Sequence, residues 1–122
     1  MQGSANQLYI ARLIIEDYGA DVNTFIEHGI TPLFFAASKN QLDFAKLLVE
    51  HGAFVTITND FNITPLIEAA KNNSNEVGQL LMDCGADIHV TDWEGNTAMD
   101  YAQKNGNRTI TEMLHQAISR NM

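Results

Sequence analysis

The sequence is poor in the residues that carry most protein chemistry. A single cysteine, Cys84, stands among 122 residues, so no internal disulfide can form, and a reducing compartment, cytoplasmic or nuclear, is the expectation. Basic side chains are scarce: seven Lys and Arg face 15 Asp and Glu, for a formal net charge of −8. Binding to a phosphate backbone needs a clustered basic face, so nucleic acid is not an expected partner. The acidic balance leans towards basic or apolar protein partners. No stretch approaches the ~20 consecutive apolar residues of a membrane span, so no membrane insertion is expected. Residues 1–6 are polar, unlike a signal peptide, and read as a disordered or tag-like leader. Proline occurs only twice, both times after threonine, at Thr31-Pro32 and Thr64-Pro65.

What the chain does have is one phrase repeated. Gly29-Ile30-Thr31-Pro32-Leu33 is followed by Ala36-Ala37, Leu47-Leu48 and His51-Gly52-Ala53. Asn62-Ile63-Thr64-Pro65-Leu66 is followed by Ala69-Ala70, Leu80-Leu81 and Cys84-Gly85-Ala86. The step is 33 residues, kept by Thr31, Thr64 and Thr97 and by Ala20, Ala53 and Ala86. A fixed period of this length marks a stacked architecture, with several small interfaces in a row rather than one central core.

The local chemistry agrees with helices set between turns. Threonine can accept a free amide at an N-cap, and proline suits the first helical position. Gly19, Gly52 and Gly85 stand just past predicted helix ends, where a left-handed residue is needed. Gly29, Asn62 and Gly95 stand two positions before Thr31, Thr64 and Thr97 and are residue types that tolerate positive φ; Asn40, Asn73 and Gly106 are the turn residues between paired helices.

A 33-residue period carrying Thr-Pro-Leu and a later Leu-Leu…Gly-Ala resembles the ankyrin repeat, over about residues 7–118. The resemblance implies an all-α solenoid of stacked helix-turn-helix units with protruding β-hairpin fingers. It divides the single domain, 1–122, into a partial N-terminal repeat at 7–29, repeats at 30–62 and 63–96, and a capping repeat at 97–119. The helix predicted over 7–18, with Leu8, Ala11, Ile14 and Ile15 at helical spacing, becomes the outer helix of the first repeat. Its alignment needs one extra residue before Gly19, and its inner helix is missing. Either the chain is cut from a longer protein, or the open end pairs with another copy. At the other end the last outer helix carries Gln116, Ser119, Arg120 and Asn121, as a polar cap would.

No catalytic constellation emerges. His51 and Cys84 hold the same repeat post, which accounts for them structurally. Cys84 and His89 have no third ligand nearby, and no histidine pair has the spacing of a zinc site. His28 falls on a finger tip and His115 on the last helix. Glu68, inside an inner helix, is expected to be partly solvated or bonded to the next finger. No enzyme, cofactor or metal is expected.

Interaction surface is the remaining reading. The resemblance places variable finger positions at Phe25, Glu27, His28 and Ile30, then Asp60, Phe61 and Ile63, then Trp93 and Glu94. Exposed inner-helix positions fall on Lys39, Lys71 and Lys104. Phe25, Phe61 and Trp93, one per finger, lie outside the family's core positions. Leaving such rings uncovered forgoes about 1.5–3 kcal/mol each, and large aromatics are enriched in binding hot spots. Asn23, in Asp21-Val22-Asn23, resembles ankyrin sites that asparaginyl hydroxylases modify; the alternative is that its side chain bonds hairpin backbone. The expected function is non-catalytic protein–protein interaction through finger tips and inner helices. The alternatives are a structural spacer or a homodimer formed through the open N-terminal face, or the non-catalytic part of a larger enzyme or effector.

Overall fold

The computed structural model describes residues 2–120, with side chains from Leu8 onward. Seven α-helices follow in order: α1 (Gln2–Tyr18), α2 (Pro32–Lys39), α3 (Leu42–Glu50), α4 (Pro65–Lys71), α5 (Asn75–Asp83), α6 (Ala98–Lys104) and α7 (Arg108–Arg120). They stack in two layers. The inner layer is α2, α4 and α6; the outer layer is α1, α3, α5 and α7, and each helix from α2 to α7 packs on neighbours in both layers. Among the described residues no inner helix lies beside α1, which packs along α3.

The helix starts follow from the threonine posts. The Thr64 hydroxyl accepts the Ile67 amide at 3.1 Å. Thr97 accepts the Asp100 amide at 3.2 Å while the Asp100 carboxylate accepts the Thr97 amide at 2.9 Å, a reciprocal capping box. Thr31 has the same extended backbone, yet its hydroxyl is buried without a partner. The amide it would cap, that of Phe34, donates instead to the Thr31 carbonyl at 3.1 Å.

The outer helices end alike. Ala53 donates to the Leu48 carbonyl and Ala86 to the Leu81 carbonyl, both at 3.0 Å, closing over Gly52 and Gly85 at φ of 90° and 85°. This is the bond of a Schellman motif. In α1 the matching bond runs from Ala20 to Ile14 at 3.2 Å, one residue longer, which absorbs the extra residue before Gly19.

Small side chains let the layers close. Ala36, Ala37, Ala69, Ala70 and Ala102 are fully buried, with Leu33, Leu48, Leu66, Leu81, Ile110 and Leu114 filling the space between helices. The core is therefore a strip running through the stack, with no central body.

Two expectations need correction. Residues 2–6 are not a disordered leader but the first turns of α1, whereas Met1 lies outside the described residues. The apolar part of α1 supplies the helix nucleus, and extending it by polar residues costs little. The fingers are also not β-hairpins with ladders. Among the described residues the one bridge pairs Ile26 with Ile30, across a 3₁₀ turn at Glu27–Gly29. The fingers are too short for a second ladder pair.

Candidate functional site

Each finger is a five-residue turn closed by two backbone bonds, one of them from the amides of Gly29, Asn62 and Gly95 to the carbonyls of Ile26, Asn59 and Asp92 at 3.2, 3.0 and 2.9 Å. The amides of Ile26, Asn59 and Asp92 donate to the carbonyls of Ile30, Ile63 and Asn96 at 2.9, 3.0 and 3.0 Å. In the second and third fingers a side chain braces the turn. Asn59 Oδ1 accepts the Phe61 and Ile63 amides at 2.9 and 3.0 Å. Asp92 Oδ1 accepts the Glu94 and Asn96 amides at 3.0 and 2.9 Å. Ile26 holds the same post in the first finger and has no oxygen to offer.

Adjacent fingers are tied by a repeated bond. The Asp60 amide donates to the His28 carbonyl at 2.9 Å, and the Trp93 amide to the Phe61 carbonyl at 3.1 Å. Gly29 is needed for this approach, because a Cβ there would stand 3.3 Å from the Asn59 Cα and its φ is +74°. The ties set three rings in a row. His28 and Phe61 have centroids 5.8 Å apart, and Phe61 meets Trp93 edge to face at 5.7 Å.

Beneath the row lies an open pocket of about 310 Å³, lined by Phe61, Ile63, Lys71, Asp92, Trp93 and Glu94. Trp93 is 73% exposed and Phe61 45%. Behind it the Tyr101 hydroxyl donates to Asp92 Oδ2, and the Lys71 ammonium stands over the Tyr101 ring, 5.5 Å from its centroid. Burial would push the Asp92 carboxyl up, but the Tyr101 hydroxyl, the Asn96 and Glu94 amides and the Lys71 charge together hold it below its usual range. The same bond, with burial, pushes the Tyr101 hydroxyl above its usual range.

The anticipated surface residues therefore divide. Phe61, Ile63, Lys71, Trp93 and Glu94 converge on one pocket, and His28 and Asp60 flank it, with His28 Nδ1 3.7 Å from Asp60 Oδ2. Ile63 is corrected from a tip position: it is only 9% exposed and packs into the core, while still lining the pocket. Ile30 is likewise half-buried against the core. Phe25 and Glu27 are exposed on the first finger, and Phe25 joins no ring pair. Lys39 and Lys104 are exposed at the ends of α2 and α6, away from the pocket lining. Tyr101 is the contributor that the sequence reading passed over. Its signal was its repeat post, shared with Phe35 and Glu68 at 33-residue steps.

The other candidates are structural in their contacts. Asn23 Nδ2 donates to the Gly52 carbonyl at 3.1 Å and its Oδ1 accepts the Phe54 amide at 2.9 Å, so its side chain joins the first finger base to the second. Glu68 accepts from Asn72 of its own helix turn at 3.0 Å rather than from the next finger. Partial burial and the Asp83 carboxylate push the Cys84 thiol up, away from the reactive thiolate. Among the described residues no group of three His, Cys, Asp or Glu could hold a metal ion, and no helix is long and apolar enough to cross a membrane.

Paired helices in register and braced fingers define a helical repeat protein. A family profile described as ankyrin repeats (3 copies) matches residues 2–59 and 54–121. The chain belongs to the ankyrin-repeat family. Ankyrin repeats are generally protein–protein interaction modules, and the family is generally non-catalytic. No curated protein matches the chain significantly.

Proposed function

We propose that this chain is a non-catalytic binding module that holds a partner protein across its second and third fingers. The observation that supports this reading is the ring row His28–Phe61–Trp93 standing exposed above the pocket of Phe61, Ile63, Lys71, Asp92, Trp93 and Glu94. The turns that present the rings are braced by Asn59 and Asp92, so little ordering entropy is lost when a partner docks. A partner side chain entering the pocket meets aromatic walls, an apolar base at Ile63 and the Glu94 carboxylate at the rim. An apolar anchor followed by Lys or Arg suits that lining, the basic group lying over the Trp93 face and near Glu94. Phe25, Glu27 and Lys39 extend the surface towards the first finger, and Lys104 towards α6.

The test is affinity capture from cell lysate with three baits: the parent chain, a Phe61→Ala/Trp93→Ala double variant and a Phe25→Ala variant. Each bait is first checked for unchanged helix content. A protein retained by the parent and by Phe25→Ala, but lost by the double variant, supports the site. Equal retention by all three baits sinks it.

A further inference from the structure

The two carboxylates of the finger pocket differ in what they have left to offer. Both Asp92 oxygens are engaged, Oδ1 by the Glu94 and Asn96 amides and Oδ2 by the Tyr101 hydroxyl. Glu94 lines the same pocket, close enough for its charge to help hold the proton on Tyr101. It enters the bonding of the turn through its amide alone, and among the described residues its carboxylate has no ion-pair partner. The pocket's own cation is already placed: the Lys71 ammonium stands over the Tyr101 ring, and its charge helps keep Asp92 ionised. What is left for a ligand is the Glu94 carboxylate beside the exposed rings of Phe61 and Trp93, which meet at an interplanar angle of 72°.

We infer that this pocket is selective for arginine over lysine, taking the guanidinium of a partner arginine that adjoins an apolar anchor; the inference rests on the reading of the pocket as a partner's docking site. A guanidinium is planar and weakly hydrated, stacks on aromatic faces and presents paired N–H donors to a carboxylate. It can serve both groups at once, its face on the Trp93 indole and its N–H edge on Glu94. A lysine ammonium has no plane to stack, and it must give up strongly held water to approach a ring. Trp93 and Glu94 are consecutive in a turn braced by Asp92, so the turn presents ring and carboxylate together.

Lys71 sets how deep the positive charge can go. Its ammonium repels a second cation from the Tyr101 side of the pocket, whereas Ile63 offers apolar lining there. The guanidinium is therefore held beside Glu94, and the adjoining apolar side chain takes the Ile63 surface. The surrounding charge favours the same occupant. Asp60 flanks the ring row, and the whole chain carries a formal charge of −8, which draws a basic segment towards it. The contact is open to solvent, so it should weaken as salt is added.

The experiment is an NMR titration of the full, nitrogen-15-labelled chain with four acetylated, amidated dipeptides. In each, leucine precedes arginine, lysine, trimethyllysine or citrulline, the last an uncharged likeness of arginine. Trp93 is the chain's single tryptophan, so its indole N–H gives one unambiguous signal. The expected result is a saturable shift of that signal and of the Phe61 and Glu94 amides, with the arginine dipeptide bound roughly threefold to tenfold tighter than the other three. Glu94→Gln keeps the amide that braces the turn, and should weaken the arginine dipeptide roughly threefold and narrow its lead over citrulline. Lysine or trimethyllysine bound as tightly as arginine overturns the inference, as does citrulline bound equally well. So does a Trp93 signal that no dipeptide moves, or a Glu94→Gln chain that binds arginine unchanged. Each of those results leaves the docking reading standing if the Phe61→Ala/Trp93→Ala bait still loses its captured partner. Equal retention by all three baits sinks that reading, whichever dipeptide binds.

Discussion

The amide of Trp93 donates to the carbonyl of Phe61 at 3.1 Å while their rings meet edge to face with centroids 5.7 Å apart. The backbone bond sets the spacing of the two fingers and does not depend on either side chain. Trp93→Ala should therefore keep the finger in place and lose only the ring contact, about 0.5–1 kcal/mol of stability by urea unfolding. Binding of the captured partner should fall far more, by about 2 kcal/mol or roughly thirtyfold, as for a central aromatic anchor. A loss of stability as large as the loss of binding would mean that the ring is internal packing.

Thr31 and Thr64 occupy equivalent posts with opposite bonding, and the same substitution should separate them. Thr64→Val removes the acceptor of the Ile67 amide and should cost about 1 kcal/mol. Thr31→Val replaces a buried, unpartnered hydroxyl with a methyl of similar shape, and should be neutral or stabilising by up to about 1 kcal/mol. Urea midpoints of the two variants, measured side by side, check the contrast. Equal losses would show that the Thr31 hydroxyl finds a partner after all.

These contrasts mark how far the sequence is legible. The 33-residue step in Thr31, Thr64 and Thr97 placed every inner helix, because cap, proline and turn residues act locally. The positive φ values at Asn62 and at Gly19, Gly29, Gly52, Gly85 and Gly95 followed for the same reason, and the turn residues Asn40 and Asn73 adopt positive φ as well. What could not be read was which ring meets which. Phe25, Phe61 and Trp93 form no single row, since Phe25 and Phe61 lie 36 apart and Phe61 and Trp93 32 apart, not 33. The offset set by the finger-to-finger backbone bonds pairs Phe61 with Trp93 and brings His28 into the place expected for Phe25. Tyr101 was hidden similarly, because its contacts with Asp92 and Lys71 join a finger to two helices.

The Tyr101–Asp92 contact should be visible in the pH dependence of stability. Asp92 has its folded pKa lowered, so its contribution is present above the ordinary value of 3.8 and is lost as pH falls through the folded pKa. Tyr101 has its folded pKa raised, so its contribution is present below 10.0 and is lost as pH rises through the folded value. Tyr101→Phe should thus destabilise the chain by about 1–2 kcal/mol between those limits. Its deficit against the parent should shrink below about pH 4 and again above about pH 10. Urea unfolding of both proteins from pH 3 to pH 11 tests this, and a deficit constant across the range would assign the effect to packing alone.

Asn40 couples one repeat to the next, and two substitutions can divide its role. It sits in the left-handed turn after α2 at φ of 53°, where its Nδ2 donates to Glu76 at 2.8 Å and its Oδ1 accepts the Val77 amide at 3.2 Å. The donor holds the Glu76 carboxyl below its usual range, and the acceptor satisfies a free amide in the first turn of α5. Asn40→Gly keeps the backbone unstrained and removes only these bonds, an expected loss of about 1 kcal/mol. Asn40→Ala removes them and adds the left-handed penalty, raising the loss to about 2–3 kcal/mol. In a stack where each repeat touches only its neighbours, the weakened junction should also lose cooperativity. Hydrogen exchange should then report earlier opening of α2 and α3 than of α6 and α7. If glycine and alanine destabilise equally, the inter-repeat bonds carry the whole effect and the turn stores no strain.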